Sequence, residues 1–231
     1  MHIYQVYHKK ESEPCLLNKP YIIPYYTQDK KGINHLQNVL SEFVCQYYVY
    51  KYENYSDDDV VGFCHYRRIF NMNKKENIIE KSIKSNHMVY GLDWFDMKGV
   101  IGYNNKQNWL FETLKNYIEY KYPELLDNFQ KMNWYYKTIQ YECFICRYDD
   151  FCKYVEFILG YFKYIGIDFE KCDEQFIKDK IDDNQFIVNC YYDNKCWWYM
   201  LPENYYRKIS YIIELLCGIY WSLTKRHIRF I

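Results

Sequence analysis

The apolar run Val60-Val61-Gly62-Phe63-Cys64 stops abruptly at His65-Tyr66-Arg67-Arg68. A short run of this kind reads as a strand buried on both faces, in the middle of a sheet covered by helices. In open α/β sheets ligands bind in the crevice beyond the carboxyl ends of the strands. An imidazole, a phenol and two adjacent guanidinium groups at such an end mark the mouth of a site. Each guanidinium is permanently charged and offers a rigid fork of donors that suits phosphate oxygens. The plain alternative is a surface strand end with two solvated arginines.

The rest of the chain supplies the elements such a strand needs. His2 to His8, Tyr21 to Tyr26, Met88 to Gly91 and Tyr141 to Arg147 read as further strands. Leu36, Val39, Leu40, Phe43, Val44, Tyr47 and Tyr50 keep the three-and-four spacing of one amphipathic helix over 35–52. Helices are also predicted over 78–83, over 108–122 up to Pro123, from a cap at Asp149 or Asp150 through Phe162, and over 209–223. Strands alternating with helices give an α/β fold. No linker, repeat or low-complexity tract divides the 231 residues, which are expected to form a single domain over 1–231.

Composition excludes more than it identifies. Thirty basic and 30 acidic residues cancel, so no global field recruits nucleic acid or an anionic membrane. Six of the ten cysteines (Cys45, Cys64, Cys143, Cys146, Cys152 and Cys217) sit inside apolar segments, where a free thiol behaves as a small hydrophobe. With no signal peptide at the start, reduced thiols in a cytoplasmic compartment are expected. The last predicted helix is too short for a bilayer span and carries Glu214. The basic segment Lys225-Arg226-His227-Ile228-Arg229 reads as a solvated tail, with peripheral membrane contact as its most ambitious role. Alanine is absent and tyrosine appears 30 times, a coding bias that places tyrosines in the core and requires a partner for each buried hydroxyl.

Gly62 to Phe70 resembles the "G-[LF]-C-H-Y-R-R-x-F" signature of a family of capsular-polysaccharide and lipopolysaccharide biosynthesis domains, long catalogued as a domain of unknown function and related to GT-A-type nucleotide-sugar glycosyltransferases. His8-Lys9 is similar to the family's "H-K" at the end of its first strand, and Tyr21-Ile22-Ile23-Pro24 to its "Y-I-P-I". Glu42 with Tyr47 to Lys51 resembles its "E-L-T-x-x-Y-W-x-W-K", Lys121 to Glu124 its "K-Y-P-E", and Tyr141 to Phe151 its "Y-N-M-F-I-M-x-x-x-x-F". The resemblance implies a GT-A-like, Rossmann-related domain with a mixed central sheet flanked by helices. It also implies transfer of a sugar from a nucleotide-sugar donor, a UDP-hexose such as UDP-galactofuranose, to a hydroxyl of a growing glycan.

Such chemistry needs positive charge at the departing diphosphate and, for inversion, a carboxylate that deprotonates the acceptor. GT-A enzymes usually take the charge from a divalent metal on an Asp-x-Asp motif just after a central strand. Here His65, Arg67 and Arg68 hold that place, while Asp57 to Asp59 precede the strand and read as a turn. The expectation is metal-independent transfer, with no cofactor beyond the donor substrate. The resemblance puts His8, Lys9 and Tyr66 at the donor. Glu42, on an otherwise apolar helix face, is expected to support the site by pairing with an arginine of the central motif. Glu142 and Glu214 are the candidate bases. Glu142 stands where the family usually has Asn, and Leu215 stands where the "S-E-R" pattern has arginine. A catalytically degenerate nucleotide-sugar- or glycan-binding domain is the alternative. Cys143-Phe-Ile-Cys146 has the spacing of a metal knuckle but lacks a matching second pair, and reads as buried strand.

Overall fold

The computed structural model describes residues 1–29, 32–72, 74–91, 94–96, 109–132, 137–139, 142–182, 208–224 and 227–231. A six-stranded sheet holds β1 (His2–Tyr7), β2 (Ile22–Tyr26), β3 (Val60–His65), β4 (Val89–Gly91), β7 (Phe144–Arg147) and β8 (Ile228–Phe230) in the order β2-β1-β3-β7-β4-β8. β5 (Trp94–Asp96) and β6 (Lys137–Ile139) form a separate antiparallel pair. β1 is parallel to β2 and β3, β7 antiparallel to β3 and β4, and β8 parallel to β4, so the sheet is mixed. From β1 the chain first moves outward to β2, then crosses back to β3 on the other side. The carboxyl ends of β1 and β3 therefore flank a point where the winding reverses, the place where open sheets form their binding crevice.

Helices are α1 (Gln37–Leu40), α2 (Phe43–Tyr52), α3 (Glu76–Asn86), α4 (Trp109–Lys121), α5 (Leu126–Lys131), α6 (Tyr148–Tyr164), α7 (Glu174–Asp182) and α8 (Lys208–Thr224). Period-two alternation sorts the strand residues between two cores. Tyr4, Val6, Val61, Phe63, Phe144 and Cys146 face a large core with α2, α4, α6 and α8. Ile3, Val60, Cys64, Cys143 and Ile145 face a smaller one closed by Ile79 and Ile83 of α3. This is the expected α/β arrangement, with β3 central and buried along its whole length. Cys143, just ahead of β7, and Cys146 within it fall on opposite faces of the sheet, so they cannot chelate one ion. Two core tyrosines find partners, Tyr25 donating to Asn34 Oδ1 at 2.8 Å and Tyr117 to the Phe157 carbonyl at 3.1 Å, whereas the buried Tyr154 hydroxyl has no hydrogen-bond partner among the described residues.

Four local expectations are corrected. The helix predicted over 35–52 is broken at Ser41, whose φ of 54° and ψ of −126° separate α1 from α2. Periodicity records which side chains are buried, and both segments bury theirs; it cannot see a break in the backbone between them. Asp149 and Asp150 lie in the first turn of α6, favoured there by the helix dipole, and Arg147 holds the cap position. The strand predicted from Tyr141 begins at Phe144; Tyr141 itself and Asn108 of the 108–122 helix lie outside the described residues. The tail is not solvated throughout: Ile228 to Phe230 form β8, because β4 would otherwise leave a row of peptide groups unpaired. Lys225 and Arg226 lie outside the described residues. Among the described residues no helix is long and apolar enough to cross a membrane.

Candidate active site

The motif at the end of β3 folds as a tight turn. The Arg68 amide donates to the His65 carbonyl at 2.9 Å, closing His65-Tyr66-Arg67-Arg68, and the Tyr66 amide donates to the Val6 carbonyl at 3.0 Å, tying the turn to β1. Tyr66 and Arg67 occupy the two central positions. The Arg67 side chain is exposed, its guanidinium carbon 5.3 Å from the centre of the Tyr66 ring; Arg68 is half-buried. Lys9, directly after β1, is exposed at the same edge and starts the short 3-10 helix Lys10–Cys15.

His65 is 3% exposed and both of its ring nitrogens are engaged. The Arg67 amide donates to Nδ1 at 3.3 Å, while Nε2 lies 3.5 Å from Glu42 Oε1. His8 Nε2 lies 3.3 Å from the same oxygen, and its Nδ1 lies 2.9 Å from Thr27 Oγ1. The carboxylate expected to meet an arginine is thus held by two imidazoles. The helix break makes this possible: it puts Glu42 at the head of α2 instead of in mid-helix, level with the ends of β1 and β3. Burial alone would lift the Glu42 pKa, but His8 and His65 pull it down to about 2. Burial takes His65 the other way, down to about 4 against the pull of Glu42, with His8, Arg67 and Arg68 adding to the fall. At neutral pH Glu42 is ionised and His65 is neutral.

Glu142 closes the site from the antiparallel side, just ahead of β7. It is 2% exposed and has a φ of 53°, a left-handed conformation uncommon outside glycine. Burial, with Glu42 and Glu214 nearby, raises its pKa well above the ordinary 4.5. Oε2 has no hydrogen-bond partner among the described residues, and neither has Oε1 of the fully buried Gln46, whose Nε2 donates to the Glu142 carbonyl at 3.5 Å. Glu214, half-buried on α8, completes a group of three carboxyl groups within electrostatic reach. Of the nine residues proposed from sequence, the fold brings all to one edge of the sheet or its flanking helices. Thr27 and Gln46 were missed. Their signal was a hydroxyl directly after β2 and a polar residue on an apolar helix face.

Residues 17–176 match the family described as "Domain of unknown function (DUF4422)". The chain belongs to this family. The fold of the DUF4422 chain is shared with the apo structure of the WbbM bifunctional glycosyltransferase, at a TM-score of 0.63 and 18% identity over 99% of this chain. The chain spans 44% of the length of that neighbour, and at this identity the likeness establishes the fold. No curated protein sequence matches the chain. Within the DUF4422 chain the matched span takes in Glu42, the His65-to-Arg68 turn and Glu142, while His8, Lys9 and Glu214 lie outside it.

An Asp-x-Asp metal site does not fit this geometry. Asp58 Oδ1 pairs with Arg147 at 2.7 Å, and the Asp59 and Asp57 carbonyls accept from the amides of Tyr148 and Asp149, all at the opposite edge of the sheet. The donor atoms of His8, Glu42 and His65 do lie within 4.8 Å of one another, close enough to surround an ion. The hydrogen bonds count against one. His65 accepts at Nδ1, so a neutral ring carries its proton on Nε2, the nitrogen a metal would need.

Proposed function

We propose that this chain is a glycosyltransferase that moves a sugar from a nucleotide-sugar donor to a glycan hydroxyl without a divalent metal. The observation that carries the reading is the turn at the end of β3. It sets Arg67 and Arg68 at the reversal point of the sheet, with Glu42 against His65 of the same turn and within electrostatic reach of Glu142. The fold shared with a known glycosyltransferase supports the same reaction class.

In this reading the bond between the anomeric carbon and the diphosphate oxygen breaks as the acceptor oxygen bonds to that carbon. Charge building on the leaving diphosphate is met by Arg67 and Arg68, fixed cations that need no reorganisation. Tyr66, Lys9 and His8 border the nucleotide. The acceptor proton passes to Glu142 or Glu214, and attack opposite the leaving group inverts the centre. Glu142 must be ionised to take that proton, and burial with two carboxyl neighbours raises the pH at which it becomes so. His65, neutral and turned inward, shapes the turn and leaves the diphosphate to the arginines. The donor is taken to be a UDP-hexose, UDP-galactofuranose among the candidates, the acceptor a surface glycan, and the compartment the cytoplasm.

A catalytically degenerate binder of the same fold is the second reading. It rests on Leu215, buried at 4% exposure beside Glu214, where the family pattern places an arginine.

Thermal shifts with UDP, GDP, CDP and dTDP, each in EDTA and in Mn²⁺, test the donor site. One diphosphate is expected to stabilise the protein equally in both. Arg67→Ala and Arg68→Ala should each weaken its binding by about 1.5 to 3 kcal/mol, the worth of a hydrogen bond to a charged group. Slow hydrolysis of the matching nucleotide sugar separates transferase from binder. Stabilisation that requires Mn²⁺ would remove the metal-free reading.

A further inference from the structure

One chain of polar contacts links the carboxyl ends of the three parallel strands. The Thr27 hydroxyl donates to Gln37 Oε1 at 3.3 Å, so its oxygen accepts from His8 Nδ1 at 2.9 Å. His8 Nε2 and His65 Nε2 both face Glu42 Oε1, at 3.3 and 3.5 Å. His65 Nδ1 then accepts from the Arg67 amide at 3.3 Å. Glu42 faces both imidazoles, and His65, accepting at Nδ1, carries its one proton on Nε2. A carboxylate beside an imidazole nitrogen favours the proton on that nitrogen, as it does for a metal-ligating or catalytic imidazole.

We infer that Glu42 is the positioning residue of the donor site: its carboxylate, 3.5 Å from His65 Nε2, favours the proton on that nitrogen, which leaves Nδ1 free to hold the Arg67 amide and so sets the turn that presents Arg67 and Arg68. The space between His8, Glu42 and His65, where three ligand atoms converge, is filled by protons instead of a cation. Glu42 touches no donor atom in this arrangement and acts only through the turn. This deepens the glycosyltransferase reading and rests on it for the role of the arginines, although the tautomer itself does not.

The test combines three measurements. Long-range ¹H–¹⁵N correlation spectra of the histidine-labelled protein at neutral pH should show His65 as the single Nε2–H tautomer. Glu42→Ala should mix the tautomers, speed hydrogen exchange of the Arg67 amide, and raise the Kd for UDP about tenfold, as expected when a buried donor loses its acceptor. Glu42→Gln, which keeps an acceptor oxygen and guards against a variant that fails to fold, should retain the tautomer and most of the affinity. Titration with Co²⁺ should give no tetrahedral d–d bands.

A protonated Nδ1 on His65, or stoichiometric Co²⁺ bands that vanish in Glu42→Gln, would overturn the inference. So would wild-type UDP affinity in a folded Glu42→Ala protein, and the arginine reading would then survive. Failure of wild type to bind any of UDP, GDP, CDP or dTDP would sink the arginine reading, while the spectra would still decide the tautomer.

Discussion

Three titratable side chains, Glu142 and His65 buried and Glu42 half-buried, set how this protein responds to acid and base, and they pull in different directions. Glu142 keeps its proton in the folded state well above pH 4.5, where the unfolded chain has already lost it. The native state then binds more protons, so the Glu142 contribution is complete below pH 4.5 and is lost as pH rises toward the folded pKa. His65 has the opposite sign: its folded pKa of about 4 lies below the ordinary 6.5, so its contribution is lost as pH falls from 6.5 to 4. Glu42 adds to that loss between pH 4.5 and about 2. A difference measurement isolates Glu142. The melting temperature of Glu142→Gln minus that of wild type should grow as pH is raised above 4.5 and level off once pH passes the folded pKa, and the variant should bind UDP but transfer no sugar. Parallel melting curves would show that Glu142 is not held protonated; a fully active variant would leave Glu214 as the base. His65, Arg67 and Arg68 were legible in the sequence because an apolar run ended on them. The pairing of Glu42 with His8 was not, since residues 34 positions apart meet only once the ends of β1 and α2 are fixed in space.

At the scale of elements, the site depends on how closely β3 lies against β7. Gly62 is the reason they fit. A Cβ there would meet the Phe144 carbonyl at 3.1 Å, Ile145 Cγ1 at 3.0 Å and Ile3 Cγ1 at 3.3 Å. The carbonyl is backbone and cannot turn aside, so Gly62→Ala must separate the strands or twist the ladder. The expected cost in chemical denaturation is about 1 to 3 kcal/mol, the range for overpacking a tight core. Because β3 ends in His65, a fall in UDP affinity should accompany it; a loss below about 0.5 kcal/mol would mean the ladder has slack, as at an ordinary surface position. Strand identity was legible from apolar runs, and β1, β2, β3 and α8 stand within a residue or two of their predicted limits. The break at Ser41 and the strand β8 were not. One is a backbone dihedral with no pattern in side-chain polarity, and the other is three residues whose strand character comes from the free edge of β4.

Across the whole molecule, the large core draws on both ends of the chain. Tyr4 and Val6 come from the first strand, and Ile209 through Leu223 come from α8, with Trp221 stacked on Tyr154 at 5.5 Å between ring centres. β8 pairs with β4, and Asn38 on α1 reaches Glu174 on α7 at 3.3 Å. These contacts leave no described segment with a core of its own: α3 and its neighbours close the second core only against β1, β3 and β7, the same strands that floor the first. A chain whose sheet is shared by both of its cores should lose them together, which is the physical content of the single-domain reading over 1–231. Equilibrium unfolding in guanidinium should then give superimposable transitions by the fluorescence of a variant that keeps Trp221 as its one tryptophan, which reports on α8, and by far-UV circular dichroism, which reports on every helix. Two midpoints, with the fluorescence change first, would mean that α8 peels from the sheet before β1, β3 and β7 separate. In that case the carboxylate of Glu214 would leave the site while the Arg67 turn stayed folded, and binding of UDP would outlast transfer as denaturant was added.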